Sequence, residues 1–372
     1  MQADEMMKPI GKFGFPAAWL AAAVVMLGSA TGPVNAESIF FPAKSGAPDS
    51  RLLTIYGALD EDIARPLIER YQDDNPSISV DYSELQTQEI YARVIDESDQ
   101  GGPTADLVFS SAMDLQVKLA NDGYASSLDL PAAQSLPDWA TWRNSAFGVT
   151  FEPAVIIYHK SSFKDRSPPR TRAALTSYLY ETEDDIYGRI GTYDIERAGI
   201  GLFFLARDQE HYRDIWQLVR AMGSAGVKLY SNSSAILERV ADGRFALGYN
   251  ILGSYAASWA VSNPEIGIIL PEDYTVVMSR IGLVPRAAKS PGLGASFLDF
   301  LISRKGQEVI SRDLRLPALH PALSGENTAA GLRAQAKGRL RPVPVTPGLV
   351  VYLDQVKRER LINRWNAALG AQ

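Results

Sequence analysis

The chain contains no cysteine. That absence excludes disulfide staples, thiolate zinc sites, cysteine nucleophiles and cysteine-held iron–sulfur clusters. It also excludes lipid attachment of the kind an exported bacterial lipoprotein needs. Histidine is nearly as scarce. His159, His211 and His320 are scattered, with no His-x-x-x-His pair and no carboxylate at ligand spacing. His159 ends an apolar run and reads as structural, and His211 reads as exposed. Positive charge is in deficit: 37 Lys and Arg face 43 Asp and Glu, a net charge of −6. A general nucleic-acid binder usually needs a basic face, so that class is disfavoured. After residue 36 no uninterrupted apolar run approaches the ~20 residues a membrane span requires.

Recognisable catalytic patterns are also missing. There is no Gly-x-Ser-x-Gly, no Gly-x-x-x-x-Gly-Lys phosphate loop and no Gly-x-Gly-x-x-Gly. The serine clusters Ser110-Ser111 and Ser231-Asn232-Ser233-Ser234 have no histidine partner in view, and Asp184-Asp185 sits in a polar loop. Nothing in the pattern calls for an enzyme. What is present is ordinary for a folded protein: 46% hydrophobic and 22% charged residues over 372 positions. That length suits about two domains of ~100–200 residues each, large enough to bury cores without staples.

Residues 1–36 differ from the rest. Lys8 and Lys12 precede an apolar stretch from Phe15 to Leu27, and small residues lead to Val34-Asn35-Ala36. A basic region, an apolar region and a small-x-small site are the three parts of a secretory signal peptide, with cleavage expected after Ala36. The alternative is an uncleaved N-terminal anchor. An export signal on a chain without cysteine fits a protein of the bacterial periplasm.

From residue 51 the pattern alternates strand and helix. Leu52–Tyr56 is a short apolar run stopped by Gly57. Asp60–Asp74 follows as a helix with Ile63, Leu67 and Tyr71 on one face. Pro66 suggests that the regular helix starts nearer Arg65. Ile78–Tyr82 and Asp106–Phe109 read as strands, Thr87–Glu97 and Asp114–Asn121 as helices. The pattern restarts after Ser167-Pro168-Pro169, with strands at 189–193, 227–230, 245–252, 266–270 and 279–284 and helices between and after them. Strand–helix–strand order implies mostly parallel sheets with helices on both faces. The α/β chain therefore divides into two lobes, with crossings near 147–158 and 262–272.

Several polar loops stand where strands end and helices begin: Tyr56-Gly57-Ala58, Ser110-Ser111, Thr192-Tyr193 and Ser231–Ser234. In open α/β sheets ligands bind outside the carboxyl ends of strands, and helix N-termini favour anions there. The plainer reading is that these serines and Asn232 only cap helices.

At this point the chain resembles a family. Leu53-Thr54-Ile55-Tyr56-Gly57-Ala58 with Asp60-Glu61 is similar to the opening of bacterial periplasmic solute-binding proteins of ABC transporters. Ala105–Ser111 resembles their second ligand loop, Ala241–Tyr249 their small-x-Gly-x-x-Ala-x-Gly strand, and Phe297–Ser303 with Gly306-Gln307 their late helix pair. The branch most resembled is the ferric-iron-binding group of type II periplasmic binding proteins. The resemblance implies two α/β lobes, each a mixed, mostly parallel sheet flanked by helices, joined by two hinge strands with the ligand in the cleft between them. It implies a first lobe of 37–150 plus 272–372 and a second of 151–271.

The iron-binding members hold ferric ion through adjacent tyrosines just after that strand. Here the pair is absent; the role would fall to Tyr249 and Tyr255, which lie roughly 20 Å apart if the segment is fully extended. Relatives that take organic acids, phosphorylated acids or phosphonates fit the polar loops better. The expected ligand residues are Gly57, Ala58, Ser110, Ser111, Ser233, Ser254, Tyr255 and Arg280. Arg280 would be the countercharge, unless a local acid pairs with it. No cofactor is expected. The expected partners are a small-molecule ligand and an inner-membrane transporter permease or sensor kinase, with the protein itself a monomer that binds no nucleic acid. The tail from 331 to 372 carries eight basic and two acidic residues, a net +6. It reads as a helix packed on the back of the first lobe, or as a docking surface for a membrane partner.

Overall fold

The computed structural model describes residues 38–46 and 50–370. The expected signal peptide and its cleavage site lie outside the described residues. In chain order the elements are β1 Ser38–Phe41, β2 Arg51–Gly57, α1 Glu61–Asp74, β3 Ile78–Glu84, α2 Thr87–Asp99, β4 Leu107–Ser110, α3 Met113–Asn121, β5 Thr141–Trp142, β6 Ala146–Gly148, β7 Glu152–His159, α4 Arg172–Glu181, α5 Glu183–Ile186, β8 Ile190–Tyr193, α6 Gly199–His211 and α7 Ile215–Ser224. They continue as β9 Lys228–Tyr230, α8 Ser233–Ala241, β10 Leu247–Leu252, α9 Gly253–Ser262, β11 Ile266–Ile269, β12 Tyr274–Met278, β13 Ile281–Leu283, α10 Pro291–Ile302, α11 Arg304–Arg312, α12 Ala329–Gln335, β14 Arg339–Pro342 and α13 Gln355–Leu369.

The strands form two sheets, ordered β1-β3-β2-β4-β13-β6-β5 and β14-β12-β7-β10-β8-β9, with β11 also on β7. Both are mixed. Strand–helix–strand units give the parallel pairs β2–β3, β2–β4, β8–β9 and β8–β10. The pairs β4–β13, β6–β13, β7–β10 and β7–β12 are antiparallel, because there the chain leaves one lobe and returns beside its own exit. Antiparallel pairing is therefore more extensive than the sequence pattern implies.

Apolar alternation places the cores. Leu53 and Ile55 of β2 and Val80 of β3 meet Leu67, Ile68 and Tyr71 of α1 and Phe297 and Leu301 of α10 on one face of the first sheet. Tyr71 stacks edge-on to Phe297 at 4.8 Å. The helix α1 starts at Glu61 and carries Pro66 inside it, with Ile63 only half-buried. Proline forfeits the bond from its own nitrogen to the Asp62 carbonyl. The buried Ala64–Leu67–Ile68–Tyr71 face outweighs that loss. In the second lobe Leu175, Leu218, Val219 and Met222 pack against one face of the sheet, and Ile236, Leu237 and Ala256 lie on the other.

The first crossing falls within the expected 147–158, but the return crossing differs from the expected boundary. Val277 and Met278 pair with Pro153 and Glu152 in the second sheet, while Ile281 pairs with Gly148 in the first. The return crossing is therefore at 279–280, not before 272, and Arg280 lies within it. The two crossings are stitched side by side. Ser279 Oγ accepts the Val149 and Thr150 N–H groups at 3.0 and 3.1 Å, and the Arg280 N–H donates to Thr150 Oγ1 at 2.8 Å.

The tail is a second correction, since its strand and its helix join the second lobe, while the segment between them, through Val345 and Leu349, packs against the first. The strand β14 joins the second sheet beside β12. The helix α13 buries Leu361 and Trp365 against α7, and the Arg364 guanidinium lies 4.2 Å from the centre of the Trp216 ring. Gly223 makes room for this helix: a Cβ there would stand 2.6 Å from the Leu369 carbonyl oxygen. Full burial of two such side chains stabilises the docking by about 1.5–3 kcal/mol each.

Candidate functional site

The strand-end loops converge on the crossing. Gly57 ends β2, and its carbonyl accepts the Leu85 N–H at 2.9 Å. A Cβ on Gly57 would lie 2.3 Å from the Tyr82 hydroxyl, so glycine lets the loop turn over that ring. The Ala58 N–H donates to the Phe109 carbonyl at 3.0 Å, which ties this loop to the one after β4. The Ala58 carbonyl accepts from Arg280 Nη1 at 3.4 Å. The first lobe thus touches the crossing through Ala58.

Arg280 is 2% exposed, and Glu152, at the start of β7, is fully buried. Arg280 Nε lies 3.0 Å from Glu152 Oε1. Burial alone would lower the Arg280 pKa, but the Glu152 carboxylate and the Tyr255 hydroxyl beside it hold the guanidinium charged. Glu152 has further donors: Thr150 Oγ1–H at 2.7 Å on Oε1 and the Ser254 hydroxyl on Oε2. A buried charge is tolerable when paired and hydrogen-bonded in this way. Arg280 is therefore not a free countercharge; the local-acid alternative describes it.

Ser254 and Tyr255 open α9, and Ser233 opens α8. Asn232 Oδ1 caps α8 by accepting the Ala235 N–H at 2.9 Å, which leaves the Ser233 hydroxyl for another role. Ser233 Oγ lies 2.6 Å from the Tyr193 hydroxyl at the end of β8. Tyr193 is buried, which pushes its pKa up to about 12, and its oxygen also accepts the Leu252 N–H at 3.4 Å. Either hydroxyl can donate in this pair; when Tyr193 does, the proton of the Ser233 hydroxyl is free to point to a ligand. The first amides of α8 and α9 have no partner within their own helices, as in any α-helix.

The structure thus gathers Ala58, Ser254, Tyr255 and Arg280 around one ion pair, with Gly57 adjoining. Ser233 lies beside them through Tyr193 and Leu252. Ser110 sits opposite Ile281 in the first sheet, but it is fully buried and its Oγ accepts the Ala112 N–H at 3.2 Å. That is a local turn role. Ser111 is half-buried, and its carbonyl accepts the Met113 N–H.

Tyr249 is not part of this group. Its ring lies in the core of the second lobe, where its hydroxyl donates to Asp208 Oδ2 at 2.7 Å and accepts from Arg172 Nε at 2.9 Å. Tyr274 and Asn250 also donate to Asp208, and Arg172 pairs with Asp208 and Asp273 at 2.8 and 3.0 Å. Burial drives the Tyr249 pKa well above its ordinary value. A tyrosine held in this network cannot reach an ion between the lobes, so the assignment of Tyr249 as a metal ligand is withdrawn. Among the described residues no group of three or more His, Asp or Glu is placed to hold a metal.

Sequence reasoning missed Glu152 and Thr150 as members of the site, and reached Tyr193 only as part of the Thr192-Tyr193 loop, without its role against Ser233. Glu152 carried a signal: it is a lone acid in the apolar stretch Val149–Tyr158, and a charge in such a run must be paired. Its partner is 128 residues away, so local pattern could not name it.

Comparisons with known proteins agree with this architecture. A family model described as bacterial extracellular solute-binding protein matches residues 66–330. The chain is similar to the crystal structure of the substrate binding protein of the ABC transporter from Agrobacterium tumefaciens. Identity is 57% over 91% of this chain and 100% of that one, with a TM-score of 0.82. Two more distant structures share the fold. Iron-bound HitA from Pseudomonas aeruginosa is 14% identical over 85% of this chain and 99% of that one, with a TM-score of 0.69. The periplasmic binding protein AfuA from Actinobacillus pleuropneumoniae, with fructose-6-phosphate bound, is 14% identical over 87% and 100%, with a TM-score of 0.70. Among curated proteins none matches the chain. Two mixed sheets flanked by helices, a family match over most of the chain and a full-length relative at 57% identity make this a bacterial extracellular solute-binding protein, the non-enzymatic substrate-binding component of an ABC transporter.

Proposed function

We propose that this protein captures a small anion, an organic acid, phosphorylated acid or phosphonate, between its lobes in the periplasm, and that closure about the 149–151 and 279–280 crossings presents the loaded form to the transporter permease. The observation that carries this reading is the placement of Tyr255 at the start of α9, beside Arg280, and of the Ser233 hydroxyl at the start of α8, against Tyr193. Helix starts and neutral hydroxyls favour a negative group without adding charge of their own. Arg280 is neutralised by Glu152, so the anion would be held by oriented dipoles and the guanidinium edge. Hinge closure follows when a ligand binds the closed form better than the open one.

The fructose-6-phosphate bound to AfuA supports an anionic cargo on this fold, whereas iron-bound HitA is the precedent for the ferric alternative. The burial of Tyr249 favours the anion. The test is the thermal shift of the purified protein against phosphate esters, phosphonates, carboxylates and ferric salts. A ligand at 100 times its Kd stabilises by about 2.7 kcal/mol. A rise with one anion class and none with ferric ion is expected; a rise with ferric ion alone overturns the reading.

A further inference from the structure

A cavity of about 340 Å³ lies where the two lobes meet, on the opposite side of α9 from Tyr255. Gly253, Ser254 and Ala257 line it and Tyr255 does not, as the 100° step between successive helix residues requires. Val155, Ile268 and Leu270 of the second lobe and Pro317 and Leu332 of the first give it an apolar body. Its volume falls within the range of small-molecule sites, about 300–1,000 Å³.

Its polar groups favour one sign. Three cations line it, Arg170, Lys337 and Arg315, against one carboxylate, Glu326. Arg170 and Lys337 both pair with Glu272. Arg315 is exposed, and its guanidinium makes no ion pair or hydrogen bond among the described residues, Glu326 included. Its backbone is held in the left-handed region at φ 54°, as is that of Asn327 at φ 52° on the same wall. Such conformations persist only where the surroundings impose them. The start of α9 adds the positive end of a ten-residue helix. An unpaired guanidinium and a helix start above an apolar floor are complementary to an anionic head on an apolar body.

We propose that this cavity is a second ligand site, adjoining the Tyr255–Arg280 cluster through Ser254 but opening on the other face of α9, and that it binds a small amphipathic carboxylate bridging the two lobes. The inference is independent of what the main site takes up.

The test is calorimetric titration of the full protein with hexanoate, octanoate and decanoate, with octylamine as the cation of matched apolar length. Saturable binding of one carboxylate per chain and none of octylamine is expected. Arg315→Asn removes the charge while asparagine tolerates the left-handed backbone, and should weaken binding at least tenfold. Ala257→Trp, at an exposed position on the cavity wall, should abolish it by filling the space. Absence of saturable carboxylate binding, equal binding of octylamine, or binding that both variants leave unchanged overturns the proposal. In the last case, loss of binding in Tyr255→Phe would place the carboxylate in the main site.

Discussion

Glu152 and Arg280 form a buried ion pair across two of the segments that join the lobes, with Oε1 and Nε 3.0 Å apart. Each sits where its segment passes from one sheet to the other, and Ser254, Thr150, Ala58 and Tyr255 attach to the pair from both sides. Removing one partner leaves the other charge buried and alone. Glu152→Gln or Arg280→Gln should each cost about 3–5 kcal/mol. The double variant should cost clearly less than the two losses added together. Urea denaturation of the three variants checks this, and simple additivity would show that the pair is not coupled.

Tyr249 separates the core from the site. Tyr249→Phe removes one donor from Asp208 and one acceptor from Arg172, and should cost about 1–3 kcal/mol of stability. It should leave ligand affinity within twofold of the parent protein. Chemical denaturation reads the first effect and titration with the best ligand reads the second. Loss of binding with stability retained would return Tyr249 to the site.

Asp114 sets a pH dependence of opposite sign to the usual carboxylate. It lies in the first turn of α3, where burial pushes its pKa up to about 6 despite the bond it accepts from the Leu115 N–H and the field of Arg207. The folded protein therefore holds this proton more tightly than the unfolded chain, whose aspartate titrates near 4. The stability contribution of Asp114 should fall as pH rises from about 4 to about 6, then stay flat. Asp114→Asn keeps an acceptor for Leu115 and removes the charge. It should gain on the order of 2 kcal/mol over the parent at pH 8 and nothing at pH 4. Thermal melts at the two pH values decide this; a variant less stable at pH 8 would contradict it.

Much of the fold could be read from the residues because local rules carry it. The stop at Gly57, the Leu67–Tyr71 face of α1, and the order of strands and helices follow from periodicity and turn chemistry. What the sequence did not show are pairings across long separations. Glu152 and Arg280 are 128 positions apart, and β12 pairs with β14 only after the chain has passed through the first lobe and returned. The helix expected over Asp60–Asp74 is observed as Glu61–Asp74; only the suggested later start near Arg65 fails, because it applied a proline rule without the buried face that overrides it. The tail helix was assigned to the wrong lobe because an amphipathic helix shows its apolar stripe but not the surface that receives it. At the site, Tyr255, Ser254 and Ala58 were reached through strand-end loops, whereas the charge state of the cluster depended on an acid that no loop motif contains.

The most direct test of the anion-binding account is calorimetric titration of the strongest stabilising anion into the parent protein and into Tyr255→Phe, Ser233→Ala and the two combined. The account expects one saturable site per chain, each single change weakening it several-fold and the double change by at least tenfold, with ferric ion giving no tyrosinate colour. Anion binding that all three variants leave intact, or ferric binding with that colour, would contradict it.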